Sequence, residues 1–433
     1  MSEQEAMKDK AAKQCDKVDE SKASESASGK ASNEAFDLLK SGSPAAAAKE
    51  PQKMDGFIPR FVFQNISEHL TDKDVLAKLH MTEEQGKQLQ KQLGDSPEKV
   101  LQFLKDNSIL DQKNAGSGNA ERFTYDAKGK EYNDKSLPGT LVRSEGQGPG
   151  SDNTVNEIHD IGGQFREFMK DFLKRNSIDD KGMDLVQCAH VGNKWDNAAW
   201  DGENNRMVYG DGDGIFFKNF VKADVIGHEM SHGVTQYNAN LDYHNQSGAL
   251  NESYSDCVGI AFKQYLLHEK AERDDHNWLI GEGVFSDFIG AKGLRDMLNP
   301  GTAYDAPLLG KDPQPGDMAH YKQMADDEQN DFGGVHINSG IPNRAFAEAA
   351  IALGGNTFDK PLAIWYKTNQ KLAGPNGPHC DFKTWADTTV ETAKEMYGDD
   401  AAAKVRGAWE LVGVLSPSAT VAEMPKQAKS SAA

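Results

Sequence analysis

Residues 228 to 232 read His228-Glu229-Met230-Ser231-His232, and Glu252 follows twenty residues after the second histidine. On a helix, positions i and i+4 share a face, so the two imidazoles converge while Glu229 points about 100° away round the axis. Two imidazoles and a carboxylate suit a zinc ion with one coordination position left for water. The ion lowers the pKa of that water towards 7, and a nearby carboxylate can take its proton. The chemistry such a set would perform is metal-assisted hydrolysis. HExxH by itself also reads as an amphipathic surface helix, and the downstream residues decide against that. Glu252 and Asp256 are again i and i+4, so a second helix offers a third ligand and a carboxylate for the free N–H of a ligating histidine. The longer pattern HExxHxxGxxH requires Gly and His where this chain has Thr235 and Asn238. The third ligand is therefore expected to be a glutamate.

The 433 residues leave room for two domains after allowing for tails. A net charge of −19 and a pI near 5.1 argue against nucleic acid or an anionic membrane as partner. No apolar run approaches the eighteen or so residues of a membrane span. The opening stretch, Met1 to Lys53, is polar and lacks the apolar core of a secretory signal, so the expectation is a cytoplasmic protein or one exported by an unconventional route. Cys15, Cys188, Cys257 and Cys380 form no CxxC pair, which favours free thiols over a disulfide framework. A monomer is expected.

The elements that must position the site follow a coarse order. Residues 1–53 are Ala-, Ser-, Lys- and Glu-rich and predict a disordered tail. A compact apolar segment, Phe57-Ile58-Pro59-Arg60-Phe61-Val62-Phe63 then Ile66, precedes a helical pattern from Thr82 to Asn107 with a start signal at Ser96-Pro97. Residues 113–120, rich in Gly, Asn and Ser, predict a linker, so 54–120 forms one unit. From 121 to 226 come short β-type runs around Phe123, Leu141, Leu185 and Met207, interrupted by a helix near Asn156 to Asn176. Tyr209-Gly210-Asp211-Gly212-Asp213-Gly214 is a turn, because an EF-hand loop starting at Asp211 would need an acidic residue where Lys222 stands. Residues 227–415 are mainly helical, over Asn251 to Leu267, Asn338 to Leu353, Lys360 to Leu372, Asp381 to Tyr397 and Ala401 to Val412, and 416–433 reads as a loose tail. The fold class is α+β, a β-rich half before an α-helical half, with the zinc helix at the cleft between them.

These residues resemble the thermolysin family of zinc metallopeptidases from about Arg122 to Val414. The resemblance rests on Trp195 to Gly202, Met207 to Gly214, Asp224 to Thr235, the Glu252 block and Gly333-Gly334-Val335-His336-Ile337-Asn338-Ser339-Gly340. The region from Phe57 to Asn107 is similar to the short propeptide of the protealysin-like branch, although Ile58-Pro59-Arg60 stands where that branch carries a Pro-Pro pair. The resemblance implies a thermolysin-like two-domain fold and a neutral endopeptidase made as a self-processing zymogen, whose partners are peptide substrates and its own propeptide.

Residue by residue, the resemblance implies that His228, His232 and Glu252 bind zinc, that Glu229 is the general base and that Asp256 orients a ligand from outside. Tyr243 and His336 fall at the oxyanion donors and Asp331 at the residue that orients His336. Asn197, Ala198 and Arg295 match residues that hold the peptide main chain, while Phe216, Val225 and Leu294 match the wall of a pocket for a bulky apolar residue just after the cut bond. Ala199 replaces a frequent aromatic, which is expected to alter preference before the cut. The family's double calcium site would fall on Asp224, Lys263, Asn277, Leu279 and Glu282, of which only Asp224 and Glu282 are acidic, so this set is expected not to hold two calcium ions. Two other readings remain: a catalytically inactive zinc-binding homologue acting as a binding protein, and a zinc aminopeptidase. The first would be expected to have lost the base or an oxyanion donor, and the second would place its third ligand at 251, which is Asn251.

Overall fold

A computed structural model of the chain describes residues 56–94 and 120–417, apart from residues 80, 82, 132, 133, 275 and 376. The polar tail before residue 54, the helical stretch beyond Gly94, the linker up to residue 119 and the tail after residue 417 fall outside the described residues.

Three helices open the described chain: α1 (Arg60–His69), α2 (Lys73–Lys78) and α3 (Glu83–Gly94). Pro59, extended at φ −64° and ψ 146°, sets the entry to α1. That helix buries Val62, Phe63 and Ile66 on one face. Asp72 caps α2 by accepting the N–H groups of Asp74 and Val75. Phe63 packs on Phe217, ring centroids 5.5 Å apart, and Asn65 donates to the carbonyl of Leu309 at 2.8 Å, so α1 lies against both later halves.

The short apolar runs form a five-stranded sheet from β1 (Arg122–Asp126), β2 (Thr140–Ser144), β3 (Leu185–Ala189), β4 (Ala198–Asp201) and β5 (Arg206–Tyr209), in the order β2-β1-β3-β5-β4. β1, β3 and β5 run parallel, while β2 and β4 pair antiparallel at the two edges. α4 (Asn153–Leu173), capped by Asp152, buries Val155, Ile158, Phe165 and Phe168 beneath this part of the molecule. The expected turn after β5 is present: the Asp213 carboxylate accepts the amides of Ile215, Phe216 and Phe217 at 2.8 to 3.1 Å. β4 is an edge strand, and the Ala198 carbonyl on its open side accepts the amide of Phe57.

The helical half begins with α5 (Ala223–Gln236) and α6 (Asn245–Leu267), both almost wholly buried. Gly227 and Gly259 let them cross closely: a Cβ on Gly227 would lie 3.1 Å from Gly259 Cα, and one on Gly259 would lie 2.6 Å from the Asp224 carbonyl oxygen. α6 starts six residues before the expected Asn251, because its first turn is polar and masks the pattern; Ser247 is tied to the carbonyls of Asp242 and Pro378. Two small antiparallel pairs follow, β6 (Leu279–Ile280) with β7 (Arg295–Asp296) and β8 (Asp305–Ala306) with β9 (Gly310–Lys311). A kinked turn, α7 (Asp331–Asn338), then leads into α8 (Gly340–Leu353), α9 (Lys360–Lys371), α10 (Phe382–Tyr397) and α11 (Asp399–Leu411). Buried tryptophans join the last helices, with Trp365 stacked on Trp409 at 6.1 Å. Among the described residues no helix is long and apolar enough to cross a membrane. Cys188, Cys257 and Cys380 are free and buried.

Candidate active site

α5 presents His228 and His232 on one face, as the i, i+4 spacing predicts, and their Nε2 atoms meet at 3.0 Å. Across the glycine crossing, α6 brings Glu252 to them, with Oε2 3.4 Å from His228 Nε2 and Oε1 3.5 Å from His232 Nε2. Three donors around a tetrahedral zinc, each at about 2.0–2.1 Å, are separated by about 3.3 Å. The three separations here fit that tetrahedral edge. Ligand-capable atoms of Glu229 and the two histidines also lie within 4.8 Å of one another, so Glu229 is a second carboxylate beside the cluster. Its geometry differs from that of Glu252: Oε2 accepts the Trp200 amide at 2.9 Å, and Oε1 is buried without a partner. Oε2 of Glu252 is likewise buried without a hydrogen bond, which fits a metal ligand.

Each histidine is fixed from behind. His228 Nδ1 bonds Asp256 at 2.8 Å; His232 Nδ1 bonds Asn251 at 2.9 Å and Ser255 at 3.2 Å. Arg295 grips Asp256 through two nitrogens at 2.7 and 2.8 Å, and Asn343 donates to the same carboxylate at 2.8 Å. Burial opposes charge on Asp256, but Arg295 and His228 hold it down at about 2. Burial pushes Glu229 up to about 8, so its carboxyl exchanges a proton near neutrality. Asn251, Ser255, Asn343 and the Trp200 amide were not singled out by the sequence as site groups. Only Asn251 and Ser255 carried a signal, as neighbours of Glu252 on the face of α6.

His336 comes from α7, where Asp331, Phe332, Gly333 and Gly334 have φ of 55°, 49°, 86° and 77°. Such a left-handed run is costly for Phe332, and two glycines are what make it passable. It curls Asp331 back so that its carboxylate accepts from the His336 amide at 2.9 Å and pairs with Nδ1 at 2.6 Å. Against the opposing effect of burial, Glu252 and Asp331 raise His336 to about 9, which makes it a hydrogen-bond donor at neutral pH. Tyr243 reaches the same spot, its hydroxyl 3.1 Å from His336 Nε2 and donating to Glu252. Phe332 packs edge-on against Tyr243 at 5.9 Å and was not anticipated.

The cleft in front of these groups is filled by the chain itself. Phe57 N–H donates to the Ala198 carbonyl on edge strand β4 at 3.0 Å. Ile58 N–H donates to Asn197 Oδ1 at 2.8 Å, and Asn197 Nδ2 donates to the Ile58 carbonyl at 3.2 Å. Arg295 reaches the Phe57 carbonyl at 3.5 Å, and the Gly56 carbonyl oxygen lies 3.2 Å from His336 Nε2. The Phe57 ring is fully buried, edge-on to His228 at 5.3 Å and beneath the Arg295 guanidinium at 5.1 Å. Gly281 leaves room for it beside Leu294: a Cβ there would lie 2.9 Å from Leu294 Cβ and 3.2 Å from the Phe57 ring. Phe216 and Val225 are buried in the same apolar cluster.

The sequence matches the thermolysin metallopeptidase catalytic domain over residues 93–236 and the thermolysin metallopeptidase alpha-helical domain over residues 239–414. The chain belongs to the thermolysin family. It is a zinc metalloendopeptidase with the thermolysin-like two-domain fold, a sheet-containing first part and a helical second. Over 299 residues it is 44% identical to an extracellular metalloprotease of Pectobacterium carotovorum, covering 69% of this chain and 82% of that one. Protease PrtS of a Photorhabdus species is 40% identical over 83% of this chain and 92% of its own. Among solved structures, the precursor of protealysin, a metalloproteinase from Serratia proteamaculans, aligns with a TM-score of 0.68 and 42% identity, over 83% of this chain and 99% of that one.

Among the residues at which the resemblance would put calcium, Lys263 and Glu282 pair with each other. Lys263 Nζ donates to the Leu279 carbonyl at 3.1 Å and to Glu282 at 3.0 Å. Asp224 is satisfied separately, by the Gly281 amide at 2.8 Å.

Proposed function

We propose that this enzyme is a neutral endopeptidase that cuts on the N-terminal side of bulky apolar residues and is made as a self-processing zymogen. The observation that carries the reading is Phe57, sealed beside Leu294 while its backbone is held by Ala198 and Arg295. An extended substrate would pair with β4 in the same way, its amides met by Ala198 and Asn197 and its apolar side chain taking the place of the Phe57 ring. His228, His232 and Glu252 would hold zinc, with Asp256 behind. When bound, zinc supplies Lewis-acid polarisation and acidifies water. Glu229 takes a proton from the attacking water and delivers it to the leaving nitrogen. His336, oriented by Asp331, and Tyr243 donate to the developing oxyanion. The Lys263–Glu282 pair supports a chain that does without the double calcium site.

In this reading, residues 54–120 are the propeptide and linker, and 121–226 and 227–415 the two catalytic domains. Maturation would cut between Asp106 and Ala120, a stretch that contains Ile109 and Leu110 and, up to residue 119, lies outside the described residues. Sequencing the new N-termini released from casein, together with that of the matured enzyme, tests both parts. Leu, Ile, Phe and Val should dominate the casein products, and the mature chain should start before Phe123. Products showing no apolar enrichment would overturn the specificity, and a fully active chain with residues 1–105 attached would overturn the zymogen.

A further inference from the structure

We infer that the Gly56–Phe57 bond is itself a substrate, so that the zymogen trims residues 1–56 from its own chain before, and independently of, the cut that activates it. The inference rests on the endopeptidase reading above and adds the register in which the segment lies. A plug needs only to fill the pocket. Here one peptide bond is held at both ends by the site: the Gly56 carbonyl oxygen is 3.2 Å from the proposed oxyanion donor His336, and the Phe57 nitrogen donates to the Ala198 carbonyl at 3.0 Å. On the far side, Arg295 and Asn197 fix the next carbonyl and amide. Among the described residues of the segment, the carbonyl at His336 is that of Gly56. The unpartnered Glu229 Oε1 belongs to the same buried site.

Gly56 also suggests why this bond would be cut slowly. Its φ of +85° departs from the extended backbone of a strand-paired substrate, and a Cβ there would lie 2.8 Å from the Ala198 carbonyl oxygen and 3.0 Å from Asn197 Nδ2. That rotation lies upstream of the carbonyl and leaves the Gly56–Phe57 peptide plane in place. Hydrolysis adds the oxygen of water to the Gly56 carbonyl carbon and breaks the bond to the Phe57 nitrogen. Both protons of the water pass by way of Glu229 to that nitrogen, leaving a carboxylate on Gly56 and an ammonium on Phe57. The ammonium remains beside the Ala198 carbonyl, and Phe57 to His69 remains docked and covalently continuous with the catalytic part. Trimming therefore shortens the chain without opening the cleft.

The test adds zinc to full-length, metal-stripped protein and follows intact mass and N-terminal sequence over time, at several protein concentrations. A chain beginning at Phe57 should form with a rate constant independent of concentration, should be missing from Glu229→Ala, and should not bring a matching rise in casein hydrolysis. A maturing wild-type sample in which no Phe57 N-terminus ever appears would overturn the inference while leaving the endopeptidase intact. A rate that scales with concentration would also overturn it, since the docked bond would then not be the one cut. Hydrogen exchange on metal-free protein checks the register without turnover. Gly56→Ala should lower protection of the peptide containing Phe57 by about tenfold or more, because an alanine side chain there meets the Ala198 carbonyl and a left-handed backbone. Unchanged protection would contradict the register.

Discussion

Glu229→Ala should bind zinc as the wild type does and lose about 10²- to 10⁴-fold in kcat/KM on peptides, the range expected for removing a positioned general base. The two properties separate because the geometry separates them. Glu252 stands at ligand distances from both histidines, while Glu229 is turned to the Trp200 amide and leaves one oxygen free in the cleft. Zinc content and rate measured on one sample decide the matter. Wild-type turnover in the variant would remove Glu229 from the mechanism, and loss of zinc would make it a ligand.

Phe57→Ala should loosen the plug. Burying a Phe side chain completely is worth about 1.5–3 kcal/mol, which corresponds to a factor of about 10 to 150 in occupancy. In a Glu229→Ala background, where turnover and processing are suppressed, the affinity of the full-length chain for an apolar peptide substrate should tighten by that factor. Equal affinity with and without the Phe57 ring would show that the ring does not compete for the substrate pocket. The contrast with α1 is instructive: Val62, Phe63 and Ile66 anchor the segment outside the reactive centre, so their loss would weaken docking without changing what fills the pocket.

The reactive centre was legible because its ligands sit on two helices, and a helix converts sequence spacing into direction. His228, His232, Glu252 and Asp256 therefore fall where spacing puts them. The closeness of the two helices was less visible. It depends on Gly227 and Gly259, and a missing Cβ leaves no periodic mark. Asn251 illustrates a second limit: its amide serves His232 from a position that the sequence offered only as a failed ligand. The left-handed run from Asp331 to Gly334 breaks helical periodicity, so the expected helix from Asn338 gave no hint of the turn that aims His336. Phe57 belongs to a compact apolar segment, and nothing in its neighbours shows that its ring would lie against a histidine far along the chain. The strands at Phe123, Leu141, Leu185 and Met207 were legible as short β-type runs between turns and the late helices by their helical pattern, since both are local properties, whereas the two-residue strands β6 to β9 are too short to leave a pattern.

Stripping all metal from the enzyme and returning ions singly tests the central claim most directly, with casein hydrolysis, metal content and melting temperature read on each sample. Zinc alone should restore hydrolysis at about one ion per chain, as a single cluster of two histidines and one glutamate requires. Calcium alone should restore none, and removing calcium alone should leave the melting temperature unchanged, because Lys263 already neutralises Glu282. Full hydrolysis by zinc-free protein, or hydrolysis that returns with calcium and not with zinc, would contradict the account.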